Sequence, residues 1–117
     1  MGKEKQLLGA QGEKLAVHFL RRQGYQIISR NFSCCFGEID IIARQAKVTV
    51  FIEVKARTST EFGLPQEAIG HEKIKHLHRS AQFYLNNCAH PEGNFRFDVV
   101  AVILGPPCQI QLIQDAF

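Results

Sequence analysis

Three charged residues lie inside two strongly apolar segments of the sequence. Asp40 lies within Gly-Glu-Ile-Asp-Ile-Ile-Ala at residues 37–43, and Glu53 and Lys55 lie within Val-Phe-Ile-Glu-Val-Lys at residues 50–55. A carboxylate in such a segment is costly to bury unless it is paired or binds a metal ion. Two carboxylates that converge on a sheet surface are hard oxygen donors, which Mg²⁺ and Mn²⁺ prefer. The two segments therefore predict a divalent metal site with Asp40 and Glu53 as ligands.

The chemistry that such a site suits is hydrolysis of a phosphodiester bond. A bound metal ion polarises a phosphoryl oxygen, generates hydroxide from water and offsets charge on the leaving oxygen. Lys55 is two residues after Glu53 and shares its face of the strand, so its ammonium can hold the attacking water. A second interpretation stays open because Glu-x-Lys is a common triplet. Glu53 and Lys55 would then be an ion pair on a strand face exposed to water.

Glu13 is a fourth candidate for this site. On a helical projection it lies among Gly9, Ala16, Val17 and Leu20, on the apolar side of the first predicted helix. A carboxylate on a core-facing stripe is unusual. Either it reaches the metal ion or a metal-bound water, or it is a partly exposed side chain that pairs with a Lys or Arg.

The elements that must position these residues follow from periodicity and turn signals. The pattern predicts helices over residues 3–23 and 65–87, and strands over residues 25–29, 38–43, 48–56, 95–104 and 109–113. Residues 44–47 connect two strands as an antiparallel hairpin. The long second helix between two strands favours a crossover connection and a parallel strand pair. The predicted class is α/β, with a central five-stranded mixed sheet flanked by helices.

Length, composition and charge narrow the function classes. The 117 residues predict a single domain, and 45% hydrophobic with 21% charged residues is typical of a globular chain. Residues 1–57 hold ten Lys/Arg against five Asp/Glu, whereas residues 58–117 hold four against six. A basic half suits a polyanionic partner, although a solvated charged face gives the same balance.

The cysteines and the termini bear on location. Cys34, Cys35, Cys88 and Cys108 fit neither a zinc ribbon nor a disulfide framework. The first residues lack the apolar core of a signal peptide, and no apolar run approaches the ~20 residues of a membrane span. We therefore expect a cytoplasmic protein with free thiols and no membrane association.

Several further side chains could contact nucleic acid. Arg57 follows the triplet by two residues, Lys73 lies on the second helix, and Arg30 lies near the first strand. For each of them, exposure at a strand end or on a solvated helix face is the alternative. Phe32 and Phe36 could stack on bases or pack into the core.

Other residues with suggestive chemistry favour structural roles. Asp98, within an apolar strand, predicts a structural pairing with Arg96 or Arg57. The spacing of His71, His76 and His78 does not suit zinc ligation on a helix.

The sequence of acidic and basic residues resembles the PD-(D/E)XK nuclease superfamily, in which a helical Glu precedes Asp and Glu-x-Lys. Ile39-Asp40 stands where that pattern has Pro-Asp. More closely, the chain resembles the bacterial YraN-like family of uncharacterised proteins. The residues that carry this resemblance are Gly12-Glu13, Ala16, Gly24-Tyr25, Arg30-Asn31, Gly37-Glu38-Ile39-Asp40, Phe51-Ile52-Glu53-Val54-Lys55-Ala56-Arg57, Phe62-Gly63, Lys73 and Arg96-Phe97-Asp98-Val99-Val100.

The resemblance implies a restriction-endonuclease-like fold, similar to that of archaeal Holliday-junction resolvases. It also implies that Asp40 and Glu53 hold Mg²⁺ or Mn²⁺, with the Val54 carbonyl as a further ligand. Lys55 would then serve the water, and Glu13 would support the site. A homodimer stays open, because resolvase-like proteins often present two sites to one junction.

Three hypotheses on function follow. The first is a metal-dependent endonuclease that cuts DNA, in particular branched or otherwise structured DNA. The second is a non-catalytic nucleic-acid-binding module that retains the nuclease fold. It predicts binding that weakens steeply with salt and no hydrolysis. The third is an interaction protein whose carboxylates are structural, and the intact Asp, Glu and Lys argue against it.

Overall fold

The computed structural model describes residues 2–61, 63–87 and 94–117, in which five strands form one sheet between two α-helices. The elements are α1 (Gly2–Arg22), β1 (Gln26–Cys34), β2 (Gly37–Gln45), β3 (Val48–Arg57), a 3₁₀ turn (Pro65–Ala68), α2 (His71–Asn87), β4 (Phe95–Ile103) and β5 (Gln109–Ile113). Phe62 and Cys88, named above from the sequence, lie outside the described residues. No helix of the described part is both long and apolar enough to span a membrane.

The sheet is mixed, with the strand order β1-β2-β3-β4-β5. β3 and β4 pair in parallel, and the other three neighbouring pairs are antiparallel. The parallel pair requires a crossover, and the chain segment that contains α2 provides it. The predicted α/β class with a five-stranded mixed sheet flanked by helices is therefore confirmed.

Each face of the sheet packs against one helix. On one face, Val50 and Ile52 of β3 pack against Ala16 and Leu20 of α1. On the other face, Phe51 packs in a cluster with the α2 residues Leu77, Ala81 and Tyr84. The alternation of side chains along β3 thus assigns Val50 and Ile52 to α1 and Phe51 to α2, as period-2 geometry requires. It also places Glu53 and Lys55 on the α2 face.

Helix α1 approaches β3 closely at Gly12, which is buried. A Cβ atom at this position would lie 2.6 Å from the Cβ of Ala56. Only glycine permits that approach, and it holds the neighbouring Glu13 beside the end of β3.

The second helix begins later than the sequence predicts. The prediction of a continuous helix over residues 65–87 is wrong. The 3₁₀ turn ends at Ala68, and Ile69 adopts an extended conformation with ψ 105°. Gly70 then precedes α2, and glycine costs about 1 kcal/mol in a helix interior relative to alanine. The buried Pro65 anchors the turn to the sheet, so packing competes successfully with helix propensity.

Strand β1 is longer than predicted. The expected strand over residues 25–29 continues to Cys34, because Arg30 and Phe32 pair with Ile41 and Ile39 of β2. Asn31 has a positive φ of 55° within this pairing. Phe32 and Cys34 therefore lie on a strand and not in a loop.

Asp98 is fully buried and fully hydrogen-bonded. Its carboxylate accepts from Arg96 Nε (2.9 Å), from the Tyr25 hydroxyl (2.7 Å) and from the Asp115 backbone N–H (3.0 Å). Arg96 also donates to the Tyr25 oxygen at 2.9 Å and to Gln45. The predicted structural pairing of Asp98 is confirmed with Arg96, and Arg57 is not its partner.

A pair of glycine substitutions tests the α1 contact. Gly12→Ala should lower the free energy of unfolding by about 1–3 kcal/mol, because the added methyl group overpacks against Ala56. Gly9→Ala should instead raise it by up to ~1 kcal/mol, since no atom lies within 4 Å of its added methyl group. Urea denaturation of both variants measures the difference, and equal effects of the two would contradict the close approach.

Removal of the Asp98 carboxylate tests the buried network. Asp98→Ala should destabilise the protein by about 3–5 kcal/mol, because Arg96 and Tyr25 lose their shared acceptor. Glu72→Ala is the matched control, since its 83% exposed side chain lies 3.9 Å from Lys75, and such surface pairs contribute little. Denaturant unfolding measures both variants, and equal free energies of unfolding would contradict the role of Asp98 as the shared acceptor.

Candidate active site

Asp40 lies where β2 and β3 separate. The two strands pair from Gln45↔Val48 as far as Ile41↔Ile52, and the ladder ends there. Beyond this point the Val54 N–H donates to Asp40 Oδ2 at 2.8 Å. The side chain of Asp40 therefore accepts a hydrogen bond that a neighbouring strand would otherwise receive, and its carboxylate is held at the fork between the strands.

Glu53 is the buried member of the site. Its side chain is only 2% exposed, and Oε2 lies 3.3 Å from Nζ of Lys73 on α2. Among the described residues, no donor reaches the other carboxylate oxygen, Oε1. A buried carboxylate oxygen without a donor is destabilising, so this oxygen is the unsatisfied point of the site.

The titration of the Glu53 carboxyl group depends on its burial and on the neighbouring Asp40. Burial raises the pKa of Glu53 to about 8, and the hydrogen bond to Asp40 and the charge of Asp40 act in the same direction. The charges of Lys73 and Lys55 oppose this shift. In the absence of a metal ion, burial and the neighbouring Asp40 therefore favour the protonated form of Glu53.

Of the two basic residues of β3, Lys55 lies near enough to Glu53 for its charge to act on that carboxyl group. Lys55 lies on the same face as Glu53 and is partly buried. A cleft of about 470 Å³ opens next to it, and Arg57, Leu8 and Gly9 also line this cleft. The end of β3 is therefore open on the side of α1.

Glu13 approaches from α1, on the opposite face of the sheet from Lys73. Its carboxylate accepts from Arg30 Nε at 3.1 Å, and the two side chains are 13% and 46% exposed, respectively. Arg30 belongs to β1, so this ion pair links α1 to the sheet beside β2. Both alternatives for Glu13 stay open, because an ion pair with Arg30 is compatible with a supporting role at the site.

The sequence alone did not predict two features of the site. Lys73 was predicted as a contact for nucleic acid, whereas the structure pairs it with Glu53. The hydrogen bond from Val54 to Asp40 was not predicted either, because no local pattern indicates where two strands diverge. Within the described ranges, no three His, Cys, Asp or Glu side chains gather as a metal cluster. Of the histidines considered, His78 stacks on Phe97 with ring centroids 4.4 Å apart.

The mixed sheet, its parallel β3–β4 pair and the helices on its two faces define a restriction-endonuclease-like α/β protein. Residues 12–102 match the family model described as "Uncharacterised protein family UPF0102", and the chain belongs to this family. The resemblance of the sequence to the YraN-like family of uncharacterised proteins is thereby confirmed.

Relatives named "UPF0102 protein" match most of the chain. One from Syntrophus aciditrophicus is 48% identical over 110 residues, which cover 93% of this chain and 87% of the relative. One from Caldicellulosiruptor saccharolyticus is 44% identical, with 97% and 98% of the two chains covered. One from Nocardia farcinica is 46% identical, with 88% and 81% covered.

The pKa of Glu53 predicts how stability depends on pH without metal ions. The folded protein keeps a proton on Glu53 up to pH of about 8, whereas the unfolded chain loses it from about pH 4.5. Stability therefore falls as pH rises through this window. Glu53→Gln removes the titration, so at the upper end of the window this variant should exceed the wild type by about 2–4 kcal/mol.

Urea unfolding in EDTA, at the acidic and at the alkaline end of the window, measures this effect. Glu72→Gln is the control, because the same chemical change is made on the exposed face of α2. Parallel pH profiles of wild type and Glu53→Gln would show that Glu53 has an ordinary pKa.

Proposed function

We propose that this protein hydrolyses phosphodiester bonds in DNA with a divalent metal ion held at the β2–β3 fork. The observation that carries the proposal is the buried carboxyl group of Glu53 beside the partly buried Asp40, with an oxygen of Glu53 that no described donor satisfies. A structural carboxylate in the same protein, Asp98, is hydrogen-bonded through both of its oxygens. The contrast indicates that the fork is shaped for a ligand and not for stability alone.

The residues present fit Mg²⁺ or Mn²⁺. Both ions prefer oxygen donors, and Mg²⁺ is commonly bound by one or two carboxylates together with water and substrate phosphates. Asp40 and Glu53 would supply the carboxylates. The Val54 carbonyl would be a third donor, because it points to the same side of β3 as the Val54 N–H that binds Asp40. A cation there would replace the proton on Glu53 and offset the negative charges of the two carboxylates.

When bound, the ion would supply Lewis acidity toward a phosphoryl oxygen and toward the attacking water. The remaining chemistry belongs to the side chains. Lys55, on the Glu53 face, is positioned to hold the attacking water and to stabilise charge on the phosphate. Lys73 pairs with Glu53 at 3.3 Å and is 39% exposed, so its ammonium can turn toward an incoming phosphate once a cation neutralises Glu53.

Two arginines extend the site toward a polyanion. Arg57 lines the cleft at the end of β3, and a guanidinium can bind a phosphate through two parallel hydrogen bonds. Arg30 holds Glu13 through Nε, and its side chain is 46% exposed, so we expect its terminal N–H groups to be available to a phosphate. Glu13 then keeps Arg30 in place, and through it α1 supports the site. Branched or structured DNA is the substrate that we expect from the resemblance to resolvases.

Cleavage assays test this function directly. Purified protein is mixed with a labelled four-way junction, a duplex and a single strand, first in Mg²⁺ and then in Mn²⁺. We expect the wild type to cut at least one of them, and Glu53→Gln or Lys55→Ala to lower the rate by about 100-fold or more. That loss excludes a contaminating nuclease, and Glu72→Gln, the same chemical change on the exposed face of α2, should cut like the wild type.

Thermal unfolding supplies a readout that does not depend on the substrate. Saturating Mg²⁺ or Mn²⁺ should raise the melting temperature of the wild type, because binding to the folded state stabilises it, and should not raise that of Glu53→Gln. No metal-dependent stabilisation and no cleavage would reject the proposal. Binding of DNA without cleavage would then favour a non-catalytic nucleic-acid-binding module.

A further inference from the structure

The turn between β1 and β2 exposes an aromatic ring beside a basic helix. Phe36 is 42% exposed, and its ring meets that of Phe83 on α2 edge to face, with centroids 6.3 Å apart. Phe32, by contrast, packs against Phe83 and Tyr84 in the core. Of the two aromatic residues that flank the vicinal cysteines, only Phe36 therefore keeps a large accessible surface.

Helix α2 connects this ring to the carboxyl pair. Lys73 pairs with Glu53, and His76 lies over the start of β2, where a Cβ on Gly37 would lie 3.7 Å from the Cβ of His76. His76 and Arg79 are exposed and one turn apart, and Phe83 follows four residues later on the same side of the helix. A continuous surface therefore runs from the carboxyl pair to Phe36.

The charge of this surface suits a phosphate backbone. The charged residues of α2 are Lys73, Lys75 and Arg79 against Glu72. The neighbouring Glu38 of β2 points to the other face of the sheet, because Gly37 and Ile39 face α2. The side toward α2 thus carries basic side chains and one exposed ring.

We propose that the surface formed by Lys73, His76, Arg79 and Phe36 binds an unpaired nucleic-acid strand, with one base stacked on Phe36. Ten residues of helix separate Lys73 from Phe83, which is about 15 Å. That length spans about four nucleotides at the duplex rise of ~3.4 Å and fewer when the strand is extended. Only an unpaired or frayed base offers a face to Phe36, because the bases of a duplex stack on each other.

This inference rests on the proposed function for its choice of partner, and it narrows the substrate to DNA with an unpaired segment next to the cleaved bond. Its test measures binding in EDTA, where no cleavage occurs. The probes are a short fluorescein-labelled oligothymidylate and the same strand annealed to its complement, and fluorescence anisotropy gives the dissociation constants.

Phe36→Ala should weaken binding of the single strand by about tenfold and leave duplex binding nearly unchanged. Phe36→Tyr keeps the ring and should bind like the wild type. Phe36→Leu keeps an apolar contact with Phe83 but has no aromatic face, so it should bind as weakly as Phe36→Ala. Phe95→Ala is the matched control, because Phe95 is 50% exposed and lies on β4, on the far side of β3 from the turn.

The basic residues have a separate signature. The affinity for the single strand falls as salt rises. Arg79→Ala should make the slope of log affinity against log salt less steep by about 0.7, the value for one lost phosphate contact. Lys47→Ala, at the β2–β3 turn and thus at the other end of β2 from Phe36, should leave that slope unchanged.

The outcomes separate this inference from the proposed function. Single-strand binding that depends on Phe36, in a protein that cuts nothing, supports the surface and rejects the nuclease. Cleavage with wild-type affinity in Phe36→Ala, or full affinity in Phe36→Leu, overturns the stacking site. Loss of affinity in Phe36→Tyr also overturns it, since that result indicates a packing role. Absence of any single-strand binding at low salt rejects the surface.

Discussion

The carboxyl pair at the β2–β3 fork, with Glu53 buried and Asp40 partly buried, is the constraint on which the rest of the site depends. Glu53 is placed in the interior by a strand that is otherwise apolar, and Asp40 is held next to it by the Val54 N–H. Two adjacent carboxyl groups of low exposure cannot both be ionised without a positive charge between them. Lys73 and Lys55 supply part of that charge from the α2 face, while burial and the neighbouring Asp40 raise the pKa of Glu53.

Asp98 and Glu53 differ in how their carboxylate oxygens are satisfied, and this difference supports a functional role for the Asp40–Glu53 pair. Asp98 is equally buried, but Arg96, Tyr25 and a backbone N–H satisfy both of its oxygens. That network ties Tyr25, which precedes β1, to β4 and the C-terminal residues, and it leaves no acceptor for a ligand. Among the described residues, Glu53 has one ion pair, with Lys73, and an unsatisfied oxygen. A protein that can satisfy one carboxylate completely can be expected to satisfy another, unless a ligand does so.

Helix α2 connects the stability of the fold to the proposed chemistry. Its apolar side, with Leu77, Ala81 and Tyr84, packs on Phe51 of the sheet. Its first turn brings Lys73 to Glu53. The break at Ile69 and Gly70 sets where this helix begins, so the position of Lys73 depends on a turn that helix propensity alone would remove. On the other face of the sheet, Gly12 has a similar positioning role, because its close approach to Ala56 lets α1 place Glu13 beside the end of β3.

The sequence by itself determined the α/β class, the alternation that puts Glu53 and Lys55 on one face, and the candidate residues, because these follow from spacing along one strand or helix. It also showed that Asp98 needed a partner, since a carboxylate in an apolar strand must be paired. Which partner it takes, where the helix breaks before His71, and how Asp40 meets Val54 were decided only by the tertiary structure. Those features depend on contacts between residues far apart in the chain, and local propensity carries no information about where two strands separate or which cation reaches a buried carboxylate.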